Sequence, residues 1–143
     1  MPIFIFNIFF ILQQSVFYSN PNQSEPNGIR FKSLSWENTL KAAKKENKLI
    51  FIDVYTTWCG PCNQLKKTTF VDTKLANYFN TQFINIACDA ESVEGKIIAS
   101  QFQVQEYPTM LFLSPEGKVI QIAIGYYPAK LLLALAKDVS KKH

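Results

Sequence analysis

Cys59 and Cys62, in the run Trp58-Cys59-Gly60-Pro61-Cys62, are the side chains whose type and spacing could carry chemistry. A thiolate is a nucleophile, and thiols three residues apart meet across one helical turn. Such a pair can close a small disulfide and cycle between dithiol and disulfide without large backbone motion. Cys59 falls where a strand should give way to a helix. Unpaired amides and the macrodipole at a helix N-terminus favour an anion, and the ordinary thiol pKa of about 8.5 drops in such a place. Pro61 lies in the first helical turn, where its missing N–H costs little. Gly60 permits close approach of another backbone. Two other readings of the pair are a metal clip and a static disulfide. A zinc ribbon needs a second Cys-x-x-Cys, and the sequence has none. A static bridge across so short a loop stabilises little. Copper(I) held by soft thiolates is a further use of the pattern.

Composition removes much else. The one histidine is His143, so Ser-His-Asp triads, Cys-His pairs and His-rich metal sites are not expected. The three cysteines, Cys59, Cys62 and Cys88, are too few for a four-cysteine zinc or iron–sulfur site within one chain. No metal and no cofactor is expected. The net charge of +4 is mild and scattered, which argues against a nucleic-acid partner. Cys88 reads as a buried, inert thiol. Lys41, Lys44, Lys45 and Lys48 read as a solvated face.

The elements that must position the pair follow from pattern. Ile29–Leu34 is expected to be a short strand. Ser35 caps a helix over Trp36–Asn47, with Trp36, Leu40 and Ala43 on one face. Leu49–Tyr55 is a nearly continuous apolar run with one acid, Asp53, as a central strand covered on both faces requires. A helix begins at Cys59 and runs to Thr69, and Asp72 caps another over Thr73–Asn80. Phe83–Cys88 is a strand. Glu94–Phe102 is helical, with Ile97, Ile98 and Phe102 inward. Thr109–Leu113 and Val119–Ile124 form a hairpin through Ser114-Pro115-Glu116-Gly117. Pro128 starts a final helix through Val139, with Leu131, Leu132, Leu135 and Val139 at helical spacing. The order predicts an α/β sandwich, a mixed central sheet with helices on both faces.

The chain opens on an apolar run, Met1–Leu12, whose length suits the core of an export signal. Residues 1–19 are expected to be a signal peptide, or an N-terminal membrane anchor over residues 3–18. Residues 20–28 are turn and linker formers, and the folded domain is expected over residues 29–143. The protein is accordingly expected in the periplasm or secreted.

Trp58-Cys59-Gly60-Pro61-Cys62 resembles the active-site motif of the thioredoxin family. Asp53, six residues before Cys59, resembles that family's buried acid, and Tyr107-Pro108-Thr109 its cis-proline segment. Gly125 after the hairpin is also similar. The resemblance spans about Ser35 to Lys141. Thr69-Phe70-Val71-Asp72, with Leu75, Phe79 and Phe83, is similar to exported thioredoxin-like domains and to the C-terminal domain of the transmembrane disulfide reductase.

The resemblance implies a thioredoxin-like fold and a thiol–disulfide oxidoreductase, most simply a reductase of envelope or secreted proteins. An oxidase or isomerase, and a non-enzymatic binding module on the same fold, are the alternatives. Cys59 would attack a substrate disulfide and Cys62 would resolve the mixed disulfide. Asp53 would exchange a proton with Cys62. Trp58, Gly60, Pro61, Tyr107, Pro108 and Thr109 would form the substrate surface, with the Tyr107 backbone pairing to an extended substrate strand. The partners implied are protein thiols and disulfides and a membrane electron donor, met by a monomer. Two departures stand out. Asn63 follows Cys62, where thioredoxins usually carry Lys, and Phe83–Cys88 has no lysine near the acid. Asp53 is therefore expected to lack a charge partner.

Overall fold

The computed structural model describes residues 27–143. The leader and most of the linker expected from the sequence lie outside the described residues. Helix α1 (Trp36–Glu46) leads into strand β1 (Leu49–Tyr55). Helix α2 (Gly60–Gln64) continues as a π-helical segment (Leu65–Thr69), and α3 (Thr73–Gln82) follows. Then come β2 (Phe83–Asp89), α4 (Val93–Gln101), β3 (Thr109–Leu113), β4 (Val119–Ile124) and α5 (Ala129–Lys141).

The sheet order is β2-β1-β3-β4. β1 runs parallel to β2 and antiparallel to β3, which pairs antiparallel with β4. The sheet is thus mixed, as expected. Alternation along β1 sends side chains to two cores. Phe51 faces one side, where Leu65, Phe70, Leu75, Phe79, Phe83, Phe112, Leu132 and Val139 gather. Its ring lies 4.8 Å from that of Phe79 and 5.1 Å from that of Phe112. Ile50, Ile52 and Val54 face the other side, with Ala43, Ile84, Ile86, Ile98, Leu111 and Leu113. Helices α3 and α5 cover the first face; α1 and α4 cover the second. Each of the two faces buries branched and aromatic groups worth about 1.5–3 kcal/mol per side chain, and β1 is central because both of its faces are apolar.

The helix starts are local chemistry. The Ser35 hydroxyl accepts from Asn38 N–H at 3.3 Å, and the Asp72 carboxylate from Leu75 N–H at 2.9 Å. The Ser92 hydroxyl accepts from Gly95 N–H at 2.9 Å. α4 approaches β2 so closely that a Cβ on Gly95 would stand 1.7 Å from the Asp89 carbonyl oxygen. Only glycine fits there. The hairpin closes through Gly117, at φ +85°, whose N–H donates to Ser114 O at 2.9 Å. Lys41 pairs with Glu37 at 2.7 Å and Lys48 with Glu46 at 3.3 Å on the surface, where such pairs contribute little.

Three expectations need correction. Ile29–Leu34 is not a strand. Its backbone is held one bond at a time: Ile29 N–H donates to Phe70 O, Lys32 N–H to Asn85 O, and Arg30 N–H to the Asn80 side chain, each at 2.8 Å. Asn80 also donates to Gly28 O at 3.1 Å. A side-chain clamp and a turn carbonyl have replaced a ladder. Ile97 points outward, 55% exposed, while Ile98 is buried. Adjacent helical positions are about 100° apart, and the inward stripe runs through Gly95, Ile98 and Phe102. Leu131 is likewise exposed, with Leu132, Ala136 and Val139 facing the core.

Candidate active site

The site sits where β1 ends and α2 begins. Cys59 is the N-cap residue of α2, with extended backbone (φ −79°, ψ 113°), and its Sγ accepts from Cys62 N–H at 3.2 Å. A sulfur at that position receives the first free amide of the helix, the contact that favours a thiolate. Cys59 and Cys62 form a disulfide with their Cα atoms 5.3 Å apart. Cys62 is wholly buried and Cys59 is 4% exposed, so the edge of Cys59 is the part of the pair that reaches the surface. Pro61 lies in the first turn of α2. A Cβ added to Gly60 would meet nothing within 4 Å, which leaves that side of the motif open.

Trp58 is exposed, and its indole is oriented rather than packed away. Nε1–H donates to Glu91 Oε1 at 2.6 Å, and the indole meets Tyr107 edge-on at 6.2 Å between centroids. That ring contact brings the cysteine motif and the Tyr107-Pro108-Thr109 segment together. The Tyr107–Pro108 peptide bond is cis, and Pro108 is buried. Gly125, at φ +90°, donates its N–H to Pro108 O at 2.9 Å, tying the end of the hairpin to this segment. Thr109 is buried and spends its hydroxyl on Glu106 O at 2.7 Å. Its hydroxyl braces the segment.

Asp53 is fully buried on β1, with Ala87 of β2 and Met110 of β3 as register partners. Neither carboxyl oxygen has a hydrogen-bond partner among the described residues. Burial pushes its pKa up to about 7, and Lys66 opposes part of that rise. A carboxyl that titrates near neutrality can both take and give a proton. The expectation that Asp53 lacks a charge partner is therefore corrected. The cation comes from the helix after the cysteines, not from the neighbouring strand.

Cys88 points to the opposite face of the sheet, in register with Val54. It is buried, and burial first, then Glu94, Asp89 and Asp53, push its pKa up to about 11. It stays a neutral thiol at pH 7 and is a poor nucleophile. Glu91 and Lys66 were not singled out from the sequence. Each follows a motif residue at a distance that only the folded chain closes, and neither belongs to a recognisable spacing.

The sequence matches the family model of the thioredoxin-like domain over residues 36–140. The chain belongs to that family. It is 29% identical over 131 residues to the thiol:disulfide interchange protein DsbD of Pseudoalteromonas atlantica, covering 89% of this chain and 22% of that protein. It is 36% identical over 100 residues to an H-type thioredoxin of Brassica campestris, covering 68% of this chain and 76% of that one. The solution structure of a candidate disulphide-isomerase from Bacteroides thetaiotaomicron superposes with a TM-score of 0.72 at 39% identity, over 84% of this chain and 99% of that one. The chain spans about a fifth of the length of the DsbD relatives it matches. Among the described residues, no helix is long and apolar enough to cross a membrane.

Proposed function

We propose that the protein is a thiol–disulfide oxidoreductase that reduces disulfides in envelope or secreted proteins through a Cys59/Cys62 dithiol–disulfide cycle. The observation that carries this reading is the pair itself: the sulfur of Cys59, whose edge reaches the surface, receives the first helix amide, and Cys62 lies wholly buried one turn on.

In the reduced protein the Cys59 thiolate attacks one sulfur of a substrate disulfide. A Cys59–substrate bond forms, and the other substrate sulfur leaves as a thiolate. Cys62 then loses its proton to the Asp53 carboxylate and attacks Cys59 Sγ. The Cys59–Cys62 bond forms, and the second substrate sulfur leaves. Two electrons have passed from the protein to the substrate, and protons from Asp53 and solvent complete the substrate thiols. A membrane-bound dithiol donor restores the pair. Trp58, Gly60, Pro61 and Tyr107 form the surface a substrate segment meets, with the Tyr107 backbone pairing to an extended strand and cis-Pro108 shaping the approach. The hydrophobic leader fits delivery to the envelope, as a cleaved signal or as an anchor over residues 3–18.

Turnover tests the reading. Catalytic amounts of the protein should accelerate reduction of the insulin disulfides by dithiothreitol. A rate equal to that of dithiothreitol alone would contradict it. The likeness to the Bacteroides protein favours a second reading, an isomerase. Reactivation of scrambled ribonuclease outpacing insulin reduction would move the assignment there.

A further inference from the structure

The lysines that close α1 gather at one end of the sheet. Lys48 immediately precedes β1, whose 7 residues lead towards the redox motif. At about 3.3 Å per residue the two ends of that strand stand roughly 20 Å apart. β3 finishes beside the start of β1, with Leu113 in register with Ile50, which brings the β3–β4 hairpin and its Lys118 to the same end. Glu116 of that hairpin lies within electrostatic reach of Lys44 and His143, so the last turn of α1, the hairpin and the end of α5 converge there. A cleft of about 320 Å3 opens on the flank, lined by Arg30, Lys32, Glu46 and Lys48 together with Asn80. Glu46 is shared: Lys48 Nζ stands 3.3 Å from its carboxylate and Lys32 Nζ 3.8 Å. One carboxylate does not neutralise two ammoniums. This end therefore keeps an excess of positive charge from Arg30, Lys32, Lys44, Lys45, Lys48 and Lys118, set against Glu46 and Glu116. α5 adds Lys141 and Lys142 with Asp138.

The redox end is the reverse on its α4 side. Glu91 holds the Trp58 indole, Glu106 directly precedes Tyr107, Asp89 ends β2 and Glu94 opens α4. Charges that are scattered along the sequence are thus sorted by the fold. A negatively charged surface attracts the first end and repels the second, so its field orients the domain as well as binding it. The chain also enters the described domain beside the basic end. Asn27 and Arg30 line one groove with Asn80, and Arg30 and Asn80 reach round into the basic cleft. No charged side chain precedes Glu25. If residues 3–18 anchor the chain, residues 19–26 span at most about 3.5 Å each, and the entry point stays within roughly 30 Å of the lipid.

We propose that the basic end of the domain docks on the anionic phospholipid surface of the membrane that holds the leader, with Arg30, Lys32, Lys44, Lys45 and Lys48 against the headgroup phosphates and the Cys59–Cys62 pair turned away from the lipid. This rests on the anchor reading of residues 3–18. The attraction is electrostatic: a Lys or Arg near an anionic bilayer feels its negative surface potential, which decays over a Debye length of about 8–10 Å at physiological ionic strength. The basic end reaches inside that distance. The acidic rim of the redox end, roughly 20 Å further out, lies beyond it and faces exported proteins. Tether and patch reinforce each other, because a tethered patch meets a local lipid concentration far above that of free solution. The α1 lysines, which read as a solvated face in the sequence, become a docking face.

The test uses the full chain reconstituted in lipid nanodiscs, one set of phosphatidylcholine alone and one containing about 30% phosphatidylglycerol. Brief acetylation of the lysines is read residue by residue by mass spectrometry. In the anionic discs, labelling of Lys32, Lys44, Lys45 and Lys48 should fall by about threefold or more relative to phosphatidylcholine, while Lys67 and Lys96 of the redox half stay unchanged. Sodium chloride at about 0.5 M should erase the difference. Lys44→Glu combined with Lys45→Glu should restore the labelling of Lys32 and Lys48 and leave insulin reduction unchanged, since neither lysine touches the redox site. Equal labelling in the two lipids, or a fall spread evenly over all lysines, would overturn the docking. Loss of the chain from the phosphatidylcholine discs on washing would contradict the anchor alone. The docking is then read from retention on the anionic discs, and retention on neither would overturn both.

Discussion

Cys59→Ser is expected to bring disulfide reduction down to background, whereas Cys62→Ser is expected to stop the cycle midway with the substrate covalently held. The asymmetry comes from position. Cys59 caps α2, receives the Cys62 amide, and is the sulfur of the pair that reaches the surface. Cys62 has no exposed surface, so it can meet Cys59 but not an incoming protein disulfide. Without Cys59 nothing starts the exchange. Without Cys62 the mixed disulfide forms and nothing releases it. Non-reducing gels and intact mass of Cys62→Ser mixed with an oxidised substrate should show a covalent adduct that dithiothreitol dissolves. An adduct with Cys59→Ser and none with Cys62→Ser would reverse the assigned order.

Asp53→Asn is expected to slow turnover near neutral pH by roughly a hundredfold, the low side of what a general base supplies, and to stabilise the oxidised protein at alkaline pH. The stability claim follows from linkage. Burial raises the folded pKa to about 7 from 3.8. Below about pH 4 both folded and unfolded carboxyls are protonated, and the group costs nothing by ionising. Between about pH 4 and 7 the unfolded chain has lost the proton and the folded chain keeps it. Stability therefore falls as pH rises through that window, and levels off once the folded carboxyl also ionises. The full loss is on the order of 4 kcal/mol for a shift of this size. Asparagine carries no such term. Urea denaturation of wild type and variant at pH 4 and pH 8 isolates the difference, since every other carboxylate is common to both. Equal gaps at the two pH values would contradict a buried, raised Asp53.

The strong local signals were legible in the sequence. A strand apolar on both faces is visible in Leu49–Tyr55 because alternation is missing there, and the single acid stands out against it. Ser35 and Asp72 are capping residues with a hydroxyl or carboxylate at the right place, and both cap. The cysteine pair and Tyr107-Pro108 are recognisable because their chemistry depends on near neighbours in the chain. Four features were not legible, for one shared reason: they depend on residues far apart in sequence. Ile29–Leu34 has strand-like residues, but Asn80 and the Phe70 carbonyl take its hydrogen bonds. The helix after Cys62 widens to a π turn, closed by Phe70 N–H to Leu65 O at 2.9 Å. In that segment the Thr69 hydroxyl is drawn to Tyr127 O at 2.7 Å. Glu91 reaches Trp58 from the loop after β2. Lys66 reads as one charge in a polar helix, and only the packing of that helix on β1 places it beside Tyr55 and the cleft that holds Asp53.

The reduction potential of the Cys59–Cys62 pair, measured by equilibration in dithiothreitol and glutathione redox buffers, tests the central claim most directly. The Gly-Pro between the cysteines goes with the reducing end of the thioredoxin family, so a value at or below about −230 mV is expected. A value between about −120 and −180 mV would put the protein with the oxidants and isomerases and contradict its assignment as a reductase.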